Sequence, residues 1–177
     1  MNKTLENILI LEGGYVDNPK DKGGATNWGI TEATARKHGF LNDMRDLTRS
    51  EAYAILEEDY WIKPGFKDVA NLSESIAFEL CDAAVNIGQH HPVLWLQRWL
   101  NVLNREERSY QDIVVDGKIG PYTMATLQYY LTVRGKEGEE VLVKALNCSQ
   151  GAWYLSLAEK NQQNEEFIYG WMKNRVS

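Results

Sequence analysis

The chain has 177 residues, with 19 Lys+Arg against 25 Asp+Glu, a formal net charge of −6, 44% hydrophobic and 25% charged residues. That is the make-up of an ordinary globular domain with enough chain to bury a core. The acid excess counts against a protein that binds nucleic acid by neutralising phosphates, and no run of about 18 apolar residues is present to span a bilayer.

Thr4 to Leu11 reads as a helix, with Thr4 as N-cap and Leu5, Ile8, Leu9 and Glu12 at i, i+3, i+4 and i+7. Gly13-Gly14 stops it. From Tyr15 to Thr31 the text is turn-rich, and short β-prone pieces between breakers predict a small hairpin or an irregular antiparallel excursion. Helical pattern resumes at Glu32 to His38 and stops at Gly39. Thr48-Arg49-Ser50-Glu51 is a capping box that opens a helix to Tyr60-Trp61, ended by Lys63-Pro64-Gly65. Ser73 to Ile87, apolar on more than one face around Ala83-Ala84-Val85, is the expected central helix. Pro92 starts another through Leu100. Val114 to Pro121 reads as a strand and turn; Pro121 then opens a helix to about Leu131. A last helix runs from about Glu137 to Ala158 or beyond. The fold class is mainly α (α+β), helical with a small β-hairpin excursion near residues 15–31. Two lobes, 1–91 and 92–177, are expected to pack as one compact unit.

Cys81 lies in an apolar context where a free thiol behaves as a small buried side chain, and a disulfide with Cys148 is not expected. No Cys/His cluster has zinc-ligand spacing. The adjacent pair His90-His91 suits a loop or cap better than a metal site. No cofactor is indicated. The composition holds 6 Trp and 9 Tyr against 4 Phe, flat apolar faces with a hydrogen-bonding tip that suit sugars as well as core edges.

Glu12 is the sharpest single residue. A carboxyl on an apolar stripe, one residue before a Gly-Gly turn, is partly desolvated yet open to a cleft. Burial raises its pKa, as a general acid requires. The alternative is that Glu12 rotates out at the helix terminus. Asp17, Asp21, Thr26 and Asn27 are the polar residues of the glycine-rich excursion. A carboxylate plus hydroxyl facing a protonated Glu could stabilise an oxocarbenium-like transition state or orient water. Asp17 and Asp21 equally suit turns.

Glu12-Gly13-Gly14-Tyr15, Pro19, Asp21, Gly23-Gly24, Thr26 and Gly29-Ile30-Thr31 resemble the N-terminal signature of glycoside hydrolase family 108. These are phage and prophage endolysins acting as N-acetylmuramidases. The resemblance continues through Ala54-Ile55, Tyr60-Trp61 and Asp82-Ala83-Ala84-Val85-Asn86-Ile87-Gly88. The second half is similar to the peptidoglycan-binding domain that follows in that family. It carries Leu96-Gln97, Leu100-Asn101, Val115-Asp116-Gly117-Lys118-Ile119-Gly120-Pro121 and Thr123. The resemblance implies a lysozyme-like fold and Glu12 as catalytic acid. The order Glu12, Asp21, Thr26 also resembles the Glu-Asp-Thr arrangement of phage lysozymes, with the Asp21-to-Thr26 gap one residue shorter.

The implied reaction is hydrolysis of the β-1,4 bond between N-acetylmuramic acid and N-acetylglucosamine. Glu12 donates to the leaving oxygen, and Asp21 and Thr26 help the attacking water. Retention or inversion depends on a carboxylate separation of about 5–5.5 Å or about 6.5–9.5 Å. Tyr15, Asn27, Trp28 and Asn86 are the candidate substrate-binding residues. Trp28 either stacks on a sugar face or packs in the hairpin; Asn86 either bonds an acetamido group or caps its helix. Two other functions fit: a lytic transglycosylase using the same Glu12, or a non-catalytic wall-binding or secretion-activator protein.

The N-terminus, Met1-Asn2-Lys3-Thr4-Leu5-Glu6-Asn7, has no apolar h-region or cleavage site. An endolysin of this kind is expected to be cytoplasmic until a holin-type lesion releases it onto cell-wall peptidoglycan, and to work as a monomer. With a net charge of −6 it cannot use strong long-range attraction to an anionic wall, so a local basic patch, or hydrogen bonds and aromatic stacking, are expected to hold the glycan, with little loss of activity in salt.

Overall fold

The computed structural model describes residues 5–6, 9, 14–17 and 25–176. The chain divides into two compact units, Met1–Lys63 and Pro64–Ser177.

In the first unit, Leu5, Glu6 and Leu9 are helical, and Leu5 and Leu9 are fully buried. These two positions lie on the stripe the periodicity predicts. The expected hairpin is present: β1 (Thr26–Asn27) pairs antiparallel with β2 (Ile30–Thr31), in register Thr26 to Thr31 and Asn27 to Ile30. Val16 bridges the other edge of Thr26 through a pair of backbone hydrogen bonds of 2.8 and 2.7 Å. Trp28 (φ 54°) and Gly29 (φ 75°) form the two-residue turn. Both have left-handed backbone, the conformation that matches strand twist in a tight hairpin. Glycine takes it freely; Trp28 takes it at a cost of about 1–2 kcal/mol.

The helix α1 (Glu32–Lys37) follows at once, its first turn closed by Thr34 N–H donating to Thr31 Oγ1 (3.2 Å). A 3-10 turn, Met44–Asp46, leads to α2 (Arg49–Glu57). The capping box forms as its sequence dictates, Glu51 N–H donating to Thr48 Oγ1 (3.3 Å) and Thr48 N–H to the Glu51 carboxylate (2.9 Å). The helix does not run as α-helix to Trp61. It changes to one π-helical turn, Glu58–Ile62, which re-phases the side chains and leaves Trp61 only 9% exposed.

The second unit opens with a short helix, α3 (Phe66–Ala70), that the apolar pattern did not suggest because five residues cannot establish a period. The central helix α4 (Glu74–Ile87) is N-capped by Ser73, which accepts from Ile76 N–H (3.1 Å), and Gly88 closes it. Ala77, Leu80, Cys81, Ala83 and Ala84 are all buried on it, so its several apolar faces meet α3 and the later helices. Next, α5 (His90–Val102) begins two residues before Pro92. Proline is tolerated there because the first-turn N–H groups lack intrahelical partners.

The strand expected around Val114 is absent. Two amides of α5, one turn apart, take the backbone groups a neighbouring strand would have used. Asn101 donates to Ile113 O (2.8 Å) and accepts from Ile113 N–H (2.9 Å). Gln97 accepts from the N–H groups of Asp116 (3.0 Å) and Gly117 (2.8 Å) and donates to Lys118 O (3.0 Å). Residues 103–120 are thereby a clamped loop.

The helix α6 (Pro121–Lys160) is interrupted at Gly135, whose φ of 59° and ψ of −149° are non-helical. It therefore has two arms, matching the predicted gap between Leu131 and Glu137. Beyond Lys160 the chain makes a 3-10 turn and a further helix, α7 (Glu165–Arg175). Neither cysteine is in a disulfide: Cys81 is buried, Cys148 exposed. Burial, reinforced by the Asp82 charge, pushes the Cys81 thiol up to about 12, so it is inert packing. Among the described residues no helix is long and apolar enough to cross a membrane, and no cluster of His, Cys, Asp or Glu could hold a metal.

Candidate active site

Successive strand residues face opposite ways. In the hairpin Asn27 and Ile30 turn inward, 5% and 2% exposed, whereas Thr26 and its partner Thr31 lie on the other, half-open face beside exposed Val16. The Thr26 backbone is fixed on both edges, by Val16 and by β2. Its hydroxyl makes no hydrogen bond among the described residues. A rigid backbone carrying an unengaged hydroxyl is what orienting a water or substrate atom requires.

The remaining hairpin candidates are engaged within the unit. Asn27 Nδ2 donates to Met44 O (2.7 Å), tying the hairpin to the 3-10 turn. Trp28 Nε1 donates to Leu47 O (3.0 Å), which anchors the turn residue in its left-handed conformation. Tyr15 stands at the edge, its hydroxyl donating to Asp17 Oδ2 (3.3 Å) and its ring 5.2 Å below the Arg45 guanidinium. The structure thus brings Tyr15, Thr26, Asn27 and Trp28 onto one small sheet. Glu12 and Asp21 lie outside the described residues. Asn86 belongs to the second unit, in the last turn of α4, where Nδ2 donates to the Asp82 carbonyl (2.7 Å).

Two polar groups escaped the sequence reading. In the first unit His38 Nε2 lies 2.8 Å from Asp59 Oδ2, and Lys63 Nζ 2.7 Å from Asp59 Oδ1. Burial alone pushes the Asp59 carboxyl up, but hydrogen bonds and charge from Lys63 and His38 outweigh it and hold the carboxyl below its usual range. The i, i+4 spacing of Asp59 and Lys63 was a visible signal; the distant His38 was not. In the second unit Glu79 (5% exposed) and Asp82 (9%) are buried on α4. Asp82 pairs with Arg175 at 2.7 Å. Gln150 bridges the group when its amide nitrogen donates to Glu79 Oε1 (3.1 Å) and its oxygen accepts from Tyr154 (3.0 Å), the orientation that satisfies both ends. Burial pushes the Glu79 carboxyl up to about 7, against the Asn147 hydrogen bond and with the Asp82 charge. These charges sit at i and i+3 inside an apolar run, a pattern that reads as amphipathic until the tertiary partners are known.

A mainly helical chain with one small hairpin carrying a polar, water-accessible edge is the architecture of a small lysozyme-like protein. Comparison with known proteins gives the assignment. Residues 5–88 match the family Glycosyl hydrolase 108, and residues 91–176 match the Predicted Peptidoglycan domain. The chain is therefore a peptidoglycan-degrading glycosyl hydrolase domain followed by a peptidoglycan-binding domain. Among solved structures it is similar to SagA of Brucella abortus, with a TM-score of 0.66 and 28% identity, covering 97% of this chain and 86% of that one. No curated protein matches it.

Proposed function

We propose that the chain is an endolysin-type N-acetylmuramidase that hydrolyses the β-1,4 bond between N-acetylmuramic acid and N-acetylglucosamine. The observation that carries this reading is the match of residues 5–88 to glycosyl hydrolase 108, directly followed by a peptidoglycan domain. Glu12 donates its proton to the leaving glycosidic oxygen as the bond to the anomeric carbon breaks. Water adds to that carbon with help from Asp21 and from Thr26, whose hydroxyl, without a hydrogen bond among the described residues and carried on a fixed strand, supports the role. Tyr15 and Trp28 offer aromatic surface beside it; Asn27 acts by holding the hairpin, and Asn86 is the acetamido candidate. The functional division is 1–91 for catalysis and 92–177 for wall binding. The enzyme is held in the cytoplasm until a holin-type lesion releases it, and acts as a monomer.

A zymogram on purified peptidoglycan with mass spectrometry of the products tests the reading. Glu12→Gln is expected to lower lysis by about 10²-fold or more, the usual yield of general acid catalysis, with unchanged thermal unfolding. Undiminished lysis overturns the assignment of Glu12. Reducing-end products identify hydrolysis; 1,6-anhydro products identify a lytic transglycosylase. Wall binding without clearing by the parent chain identifies a non-catalytic binder.

A further inference from the structure

The second unit carries a groove of about 410 Å³ between α5 and the C-terminal arm of α6. Trp95, Trp99 and Trp153 line it, together with Arg98, Ser149 and Ser156. Its size falls in the range of small-ligand sites. Three of the six tryptophans of the chain meet here, and their rings are fixed before any ligand arrives. Trp99 Nε1 donates to Ser149 Oγ (2.8 Å). Trp153 lies 4.1 Å, centroid to centroid, from His91 and edge-on to Trp95 at 6.3 Å.

Two features point to a ligand rather than to core packing. Trp95 is only 8% exposed, but its indole N–H is not among the buried unpartnered groups; it reaches solvent without a hydrogen-bond partner among the described residues and can donate to a ligand. Arg98 is exposed at the rim and has no ion pair or hydrogen bond among the described residues. Pyranose rings present flat C–H faces to indoles, and acetamido and hydroxyl oxygens accept from an indole N–H. Stem-peptide carboxylates match a guanidinium.

We propose that this groove is a glycan subsite, taking an N-acetylated sugar of the peptidoglycan strand on its tryptophan faces and a stem-peptide carboxylate on Arg98. The proposal rests on the assignment of residues 91–176 to peptidoglycan binding and locates that binding on one face. Its preformed rings lower the ordering cost of association, so affinity comes from few contacts.

The test is co-sedimentation of the full chain, in a Glu12→Gln background, with purified insoluble sacculi. Trp153→Ala and Arg98→Glu are the groove variants. Tyr122→Ala, in the loop-side groove at the start of α6, is the control. Trp153→Ala is expected to weaken retention about tenfold and Arg98→Glu about fivefold, with Tyr122→Ala unchanged. Arg98 has no partner to lose among the described residues, so its variant reports on binding even if Trp153→Ala unfolds. Equal retention by Arg98→Glu and the parent chain overturns the carboxylate contact and with it the subsite. A concentration-dependent dimer that the groove variants abolish, seen by light scattering, also overturns it, because the occupant is then a second copy. Failure of the parent chain to sediment with sacculi overturns the peptidoglycan assignment of the whole domain.

Discussion

Thr26 shows how one residue acquires a role from its surroundings. Its backbone is locked by Val16 and β2 while its hydroxyl makes no hydrogen bond among the described residues, which is the basis for the proposed role of its side chain. Thr26→Val, nearly isosteric and suited to a strand, is expected to leave the melting temperature within about 2 °C of the parent and to lower lysis about tenfold or more. Thr26→Ser restores most of the activity. A melting temperature that falls in step with activity assigns Thr26 a structural role instead. Asn27, one residue on, has the opposite fate. Its amide is spent on Met44 O inside the unit, and alternation along the strand is the only reason the two neighbours differ.

Among the elements, α6 depends most on a single position. At Gly135 the backbone adopts φ 59° and ψ −149°, a region essentially reserved for glycine. The break lets the Tyr130 hydroxyl donate to Gly138 O (2.9 Å), joining the two arms across the interruption. Gly135→Ala is expected to destabilise the fold by about 1–3 kcal/mol, read as a lower urea midpoint at an unchanged slope. A neutral substitution shows that the two arms merge into one straight helix without penalty. The clamped loop at 103–120 teaches a related lesson. Val114-Val115 has strand propensity, but the amides of Asn101 and Gln97 hold the backbone on either side of it, at Ile113 and at Asp116, Gly117 and Lys118.

Over the whole molecule, charge acts in two ways. The net −6 is a solvated property, whereas Glu79 is a buried one, pushed from its ordinary 4.5 to about 7 by burial. Below about pH 4.5 the carboxyl is protonated in folded and unfolded chain alike, and its contribution to stability is complete. Between about 4.5 and 7 the unfolded chain releases the proton while the fold retains it, so stability falls as pH rises. Urea midpoints are expected to fall from about pH 5 to about pH 8, and Glu79→Gln to flatten that decline. An identical decline in the variant assigns the pH dependence to other groups.

By itself the sequence determined the local features: the capping box at Thr48, the helix stops, the gap in α6, the small hairpin and the family signature around Glu12 and the Val115–Thr123 motif. Each is set by interactions within about one turn or by residue types with narrow backbone preferences. Tertiary structure decided what depends on distant partners. It withheld the strand at Val114, gave Asn27 an inward bond and left the Thr26 hydroxyl without a partner among the described residues. It also paired Asp82 with Arg175 and gathered three scattered tryptophans beside Arg98. The physical reason is one of range. Propensity and capping act along the chain, while burial, pKa and the convergence of side chains exist only once helices far apart in sequence have packed.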